Sequence, residues 1–259
     1  MIKRELYMNR IRPFIGGELI KVMTGIRRSG KSVMLELIKE ELAEAGVAPS
    51  QMISINFEDM RYSHLQTATA LHDEIIKRAE GIEGKAYLFF DEIQEVEGWE
   101  KCVNSLRVAL DCDIYITGSN AKLLSGELAT YIGGRYVEFV IYPFSFAEFL
   151  ELYHTIAPSD SIQQCFQKYL LAGGMPYLAN LRHEEEPSRQ YLTDLFNSVQ
   201  LKDIVKRNKI RDIDLLERII AYMTANVGTV FSASSLAKFF KNEQRTVAAE
   251  TILNYVRYC

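Results

Sequence analysis

Residues Gly25-Ile26-Arg27-Arg28-Ser29-Gly30-Lys31-Ser32 fit the spacing G-x-x-x-x-G-K-[ST]. They lie between an apolar run, Leu19–Thr24, and an amphipathic stretch, Val33–Glu44, in which Leu35, Ile38 and Leu42 recur at helical spacing. A strand, a glycine-bearing turn and a helix in that order are what this motif requires. The glycines let backbone amides converge at a helix N-terminus, where the helix dipole favours an anion. Lys31 is placed to reach the β- and γ-phosphates of a nucleotide and the Ser32 hydroxyl to ligate magnesium, so the candidate phosphate set runs from Gly25 to Val33. For Arg27 and Arg28, inside the loop, a phosphate contact, a partner contact and plain exposure are all open.

A second apolar run, Ala86-Tyr87-Leu88-Phe89-Phe90, ends in adjacent carboxylates, Asp91 and Glu92. Strand alternation sends the two side chains in different directions, so Asp91 can hold the magnesium shell while Glu92 polarises an attacking water. Such a pair at a strand end often only begins a solvated loop, and the preceding phosphate loop gives it meaning. A third run, Ile114-Tyr115-Ile116-Thr117, leads into Gly118-Ser119-Asn120. Ser119 or Asn120 can bond a γ-phosphate or water, or cap a following helix. Arg135, in Gly133-Gly134-Arg135-Tyr136, can supply positive charge to a transferring phosphoryl group from the same subunit or a neighbour, or pair with a surface carboxylate.

Short apolar runs at 19–24, 52–57, 86–90, 114–117 and 136–141 alternate with helical stretches such as Val33–Glu44 and Leu71–Ala79. This is the pattern of five parallel strands in a doubly wound α/β domain over residues 1–143. After Pro143 the segments 146–153, 162–172, 188–205 and 215–225 read as helices, giving a helical domain over 144–210; His183–Pro187 reads as a solvated loop. Residues 211–259 form a partial winged helix. Ser234 caps a short helix with Leu236, Phe239 and Phe240 inward, and Ala249, Ile252, Leu253 and Val256 share one face of a second helix. Stopping at Cys259 leaves no room for a β-wing, so truncation is expected there.

A hydrophobic content of 48% supports a buried core without staples, and four scattered cysteines without C-x-x-C pairing read as free thiols in a reducing cytoplasm. The charged amino terminus lacks the apolar stretch of a signal peptide, and no apolar run approaches membrane-spanning length. A net charge of -4 excludes a generally basic surface but not a local basic patch.

Together GIRRSGKS, YLFFDEIQ, DIYITGSN, GGRYVEFVIYPFSFAEFL and LAGGMPYL resemble a broad group of prokaryotic AAA-type ATPases, distantly similar to the archaeal and signal-transducing ATPase clades. The resemblance implies a sheet ordered 5-1-4-3-2 with an extra strand between those carrying the two Walker motifs. It also implies a catalytic base at Glu92, a polar sensor at Asn120, a winged-helix segment and a further carboxy-terminal domain. No second arginine sensor of the AAA+ kind is evident, although Arg182, Arg189 and Arg207 lie in the helical region, so ring assembly is left open. The function expected is magnesium-dependent ATP hydrolysis that rearranges the helical part on DNA or a protein partner. A slow nucleotide switch and a small-molecule kinase are the alternatives. DNA contact rests on residues 233–258, through Lys241, Gln244, Arg245 and Arg257.

Overall fold

The computed structural model describes residues 2–118, 132–199, 204–205, 208–242 and 245–258. Its centre is a sheet of β1 (Ile20–Thr24), β2 (Met52–Asn56), β3 (Ala86–Asp91), β4 (Cys112–Thr117) and β5 (Tyr136–Val140). The strands lie in the order β2-β3-β4-β1-β5 and every neighbouring pair is parallel. This is the expected 5-1-4-3-2 order read from the other edge, with β4 inserted between β1 and β3.

Alternation along each strand explains why the runs are apolar throughout. Ile20, Val22, Leu88, Phe90, Ile114 and Ile116 face one layer, where they meet Leu71 and Ile75 of α3 (Ala68–Ala79) and Val103 and Leu106 of α4 (Trp99–Ala109). Met23, Phe89, Tyr115 and Phe139 face the other, against Tyr7, Met8 and Ile11 of α1 (Glu5–Ile11) and Met34, Leu35 and Ile38 of α2 (Lys31–Glu44). Phe89 and Tyr115 stack there at 4.8 Å between ring centroids. Helices α1 and α4 are additions to the sequence reading. Trp99, Cys102, Val103 and Leu106 have the i, i+3, i+4, i+7 spacing of a buried stripe.

One charge pair is sealed in the second layer, at the amino edge of the sheet. Lys21 and Asp113 are both 0% exposed and in contact. Asp113 also accepts from the Gly16 amide at 2.7 Å and the Tyr115 hydroxyl at 2.8 Å, while Lys21 donates to the Leu19 carbonyl at 2.9 Å. Desolvation pulls the Lys21 ammonium below its ordinary value despite the opposing pull of Asp113.

The described chain divides into two compact units, Met1–Ser188 and Arg189–Cys259. The first runs past the change of pattern at Pro143 through α5 (Phe146–Tyr153) and α6 (Ile162–Ala172). Each of these helices starts on a capping box, Ser145 with Glu148 and Ser161 with Gln164. Phe149, Tyr153 and Cys165 form their core. The segment at His183–Pro187 is not a loop throughout: α7 (Glu185–Val199) takes in Glu185, Glu186 and Pro187. Acidic residues and proline are favoured in a helix's first turn, where the amides need no intrahelical acceptor.

In the second unit α8 (Ile213–Ala225), α9 (Ala233–Asn242) and α10 (Ala249–Tyr258) bury Leu215, Ile219, Leu236, Phe240 and Ile252. Ser234 lies inside α9, whose entry is instead marked by the Ser235 amide donating to Ser232 Oγ at 3.4 Å. Phe239 and Leu253, expected inward, are exposed. They lie one residue off the buried stripe set by Leu236, Phe240 and Ile252. No helix among the described residues is long and apolar enough to cross a membrane. Cys102, Cys112 and Cys165 are free and buried, and desolvation pushes the Cys102 thiol up to about 12.

Replacing Asp113 with Ala strands the Lys21 ammonium in an apolar layer. Urea unfolding is expected to show a loss of about 3–5 kcal/mol with little change in m-value.

Candidate functional site

Four of the parallel strands end on a polar residue, Thr24, Asn56, Asp91 and Thr117, so the carboxyl edge of the sheet carries a polar row above an apolar interior. The loop after Thr24 curls over this row. Gly25 has φ of 138°, and a Cβ there would stand 2.2 Å from the Ile141 carbonyl oxygen, so only glycine fits between the loop and the chain leaving β5. Arg28 is held at φ 63° and Gly30 at 102°, turning the chain into α2.

Lys31, 4% exposed, folds back across the loop. Its ammonium donates to the carbonyls of Gly25 at 3.2 Å and Ile26 at 3.1 Å and stands 3.9 Å from Glu92 Oε1. Asp91 is buried beside it. Its carboxylate accepts from Thr117 Oγ1, from Asn56 Nδ2 at 3.1 Å and from the Ser32 side chain. Burial pushes the Asp91 carboxyl above its ordinary value, opposed by the hydrogen bonds from Thr117 and Ser32 and reinforced by the Glu92 charge. Ser32 and Asp91, the residues expected to share a metal, are therefore in contact before any ion arrives. Both offer the hard oxygen atoms that magnesium takes.

Glu92 occupies the left-handed region, φ 55° and ψ 47°, which costs a residue with a Cβ about 1–2 kcal/mol. Its amide donates to Thr117 Oγ1 at 3.0 Å, which holds the turn, and its carboxylate accepts from Gln94. Thr117 thus serves both acidic neighbours. Neither Thr117 nor Asn56 is given a role at the site in the sequence reading. Thr117 was legible as the polar end of the run 114–117 and Asn56 only as a polar residue within 52–57, and the register sets Asn56 opposite Asp91. Thr24 likewise donates to Glu138 Oε1 at 2.7 Å.

Ser119, Asn120, Arg207 and Gln244 lie outside the described residues. Arg135 is not brought to the loop. It precedes β5, and its carbonyl accepts from the Ile20 amide at 3.0 Å, at the amino edge of the sheet. The length of β1, roughly 13 Å at strand rise, separates it from Gly25. In a parallel sheet a residue before a strand and a loop after one lie at opposite edges, so the same-subunit role expected for Arg135 fails. In the second unit Arg245 pairs with Asp212 and Asp214 beside the start of α8, which binds the turn before α10 rather than leaving its guanidinium for a phosphate. Lys241 and Arg257 are exposed.

The family model described as an AAA domain matches residues 18–150, and a model of a domain of unknown function matches residues 163–258. The chain belongs to the AAA domain family of P-loop ATPases. An uncharacterized protein of Haemophilus influenzae is 38% identical over 99% of this chain, which covers 64% of that relative. One of Methanocaldococcus jannaschii is 32% identical over 92% of this chain and 54% of the relative. The chain thus spans between half and two thirds of these relatives' length. Solved structures with a loose likeness include Aeropyrum pernix ORC1 in complex with DNA, 14% identical over 98% of this chain and 82% of that one with a TM-score of 0.42. A Thermotoga maritima RuvB mutant is 14% identical over 96% and 82%, with a TM-score of 0.47.

The raised Asp91 carboxyl has a measurable consequence. Above that value the unliganded protein carries a buried charge, so Asp91→Asn is expected to be more stable than the parent at neutral pH. Because the folded carboxyl binds its proton more readily than the unfolded one, the parent gains relative stability as pH falls through the raised value, and the difference shrinks. Denaturant unfolding at about pH 7 and about pH 4.5 checks it.

Proposed function

We propose that this chain binds ATP with magnesium at Gly25–Val33 and hydrolyses it. The observation that carries the reading is the convergence of Lys31, Ser32, Asp91 and Glu92 at one point of the carboxyl edge, with Lys31 3.9 Å from Glu92 and Ser32 bonded to Asp91. Ser32 and Asp91 would hold magnesium, which when bound neutralises the β- and γ-phosphate oxygens. Lys31, now satisfied by two loop carbonyls, exchanges them for phosphate oxygens. The loop amides up to Val33 at the start of α2 bind the same anion. Glu92 takes a proton from water as its oxygen bonds to the γ-phosphorus and the bond to ADP breaks, giving ADP and inorganic phosphate. Thr117 keeps Asp91 and Glu92 in their separate orientations. Asn120, which follows Thr117 in the sequence and lies outside the described residues, is the proposed γ-phosphate sensor; Arg135 is left only with action on a neighbouring copy.

One observation favours slow turnover, the behaviour of a nucleotide switch. Glu92 is tied to Gln94 and faces the Lys31 cation, so the base is engaged until bound phosphate draws Lys31 away. A kinase reading gains nothing from these contacts. What hydrolysis drives, a change on DNA or on a protein partner in the cytoplasm, belongs to the same proposal. The engagement of Arg245 leaves Lys241, Gln244 and Arg257 of the expected set to carry any duplex contact within 233–258.

Steady-state ATP hydrolysis with magnesium, with and without duplex DNA, tests the reading. Glu92→Gln is expected to lower turnover about 100-fold or more while nucleotide affinity stays within about threefold of the parent. Loss of binding in that variant would remove Glu92 as the base. Lys31→Ala is expected to weaken ATP binding at least about tenfold, read by calorimetry, because it removes a charge-assisted contact.

A further inference from the structure

Arg4 is far from every motif in the sequence, yet its side chain is 2% exposed and each of its three guanidinium nitrogens donates to a partner inside the first unit. It sits at φ 46°, just before α1, an uncommon conformation for a residue with a Cβ. Nη1 donates to the carbonyl of Ser29 at 3.1 Å, inside the phosphate loop. Nη2 donates to the Tyr142 carbonyl at 2.9 Å, in the segment leaving β5. Nε donates to Glu148 Oε1 at 2.8 Å, on the first turn of α5. The guanidinium lies over the Tyr7 ring at 4.6 Å, and the Tyr7 hydroxyl accepts from the Tyr142 amide at 3.0 Å. Glu148 is fixed in turn by the Ser145 amide at 2.8 Å.

We propose that Arg4 is a positioning residue for the phosphate loop: it grips the Ser29 carbonyl, sets the Gly30 amide toward bound phosphate, and is itself aimed by Glu148. The geometry follows from the planar trans peptide. With the Ser29 carbonyl drawn to Arg4, the N–H of the same peptide unit, on Gly30, points the opposite way, away from the guanidinium. Gly30 precedes Lys31 at the start of α2, so its amide is one of the donors a phosphate meets. Gly30 has φ of 102° and no Cβ, and a peptide flanked by glycine rotates easily unless something holds it. A planar cationic fork, locked by a carboxylate, holds it where a lysine would only neutralise it. The same fork joins the loop to the chain leaving β5 and to α5, so a shift of the Ser29 peptide on phosphate binding is felt at the first helix beyond the sheet.

This rests on the proposal that the loop binds nucleotide. The test uses Arg4→Lys, which keeps the charge and loses the fork, and Glu148→Gln, which preserves the capping box because glutamine serves at that position. In folded proteins with thermal midpoints near the parent's, Arg4→Lys is expected to weaken Mg–ADP binding about tenfold and Glu148→Gln less, in the same direction. The effect on ATP hydrolysis should fall on KM with kcat within about twofold, since the amide holds phosphate alike in ground and transition states. The double variant should be no weaker than Arg4→Lys alone, because Glu148 acts through Arg4. Hydrogen exchange of the Gly30 amide should rise in both single variants without nucleotide, a reading that survives even if the parent binds none. Gly30 exchange and Mg–ADP affinity matching the parent in folded Arg4→Lys would overturn the proposal. So would losses from the two substitutions that simply add. If Arg4→Lys does not fold, Glu148→Gln decides by the same two measurements. A parent that binds no Mg–ADP, with Gly30 exchange raised in the variants, would instead sink the nucleotide reading and leave the positioning role standing.

Discussion

A carboxylate buried at the end of a central strand has to be held by donors, and the arrangement of this molecule's polar edge follows from that need. Asp91 ends β3, flanked by β2 and β4, and each flanking strand ends on a residue that donates to it, Asn56 on one side and Thr117 on the other. Ser32 brings a third donor from the start of α2. Because β4 is inserted between β3 and β1, Thr117 also reaches the Glu92 amide and fixes the strained turn that sets Glu92 apart from Asp91. Two adjacent carboxylates thereby acquire different surroundings, which is the physical requirement for giving them different tasks.

The opposite edge of the sheet is built on a different balance. Lys21 and Asp113 are sealed there with Tyr115, where burial penalises the ammonium and the hydrogen bonds compensate the carboxylate. Such a pair contributes little beyond what well-packed apolar residues would, but removing one partner is costly. It joins β1 to β4 at one end, while the main-chain contact between Gly118 and Met23 at 3.2 Å joins them at the other. The two strands that frame the phosphate loop are in this way fixed at both ends.

Much of this was legible in the residues and some was not, for identifiable reasons. The loop from Gly25 to Ser32 and the acidic pair follow from local patterns, since each occupies one strand end and one turn, whereas the strand order was implied only by the resemblance that those motifs carry. For Arg135 the residues left the same subunit and a neighbour both open, because a position beside a strand does not choose between them until the strand's direction is counted: before β5 means the amino edge, away from the phosphate loop of the same chain. The loop read over His183–Pro187 holds only for its first two residues, because the glutamates and proline that follow suit a helix start as well as a solvated turn. Arg4 could not be found from sequence at all. Its partners Ser29, Tyr142 and Glu148 are separated from it by 25, 138 and 144 positions and meet only once the sheet is assembled.

The central claim is that Lys31, Ser32 and Asp91 form one phosphate and magnesium site at the carboxyl edge of β1 and β3. The most direct measurement is a crystal structure of the chain with magnesium and a non-hydrolysable ATP analogue. The account predicts the ion on Ser32 Oγ, with Asp91 in its shell, and Lys31 Nζ moved from the Gly25 and Ile26 carbonyls to the β- and γ-phosphates. A nucleotide bound elsewhere, or a loop that stays closed by Lys31 at saturating ligand, would contradict it.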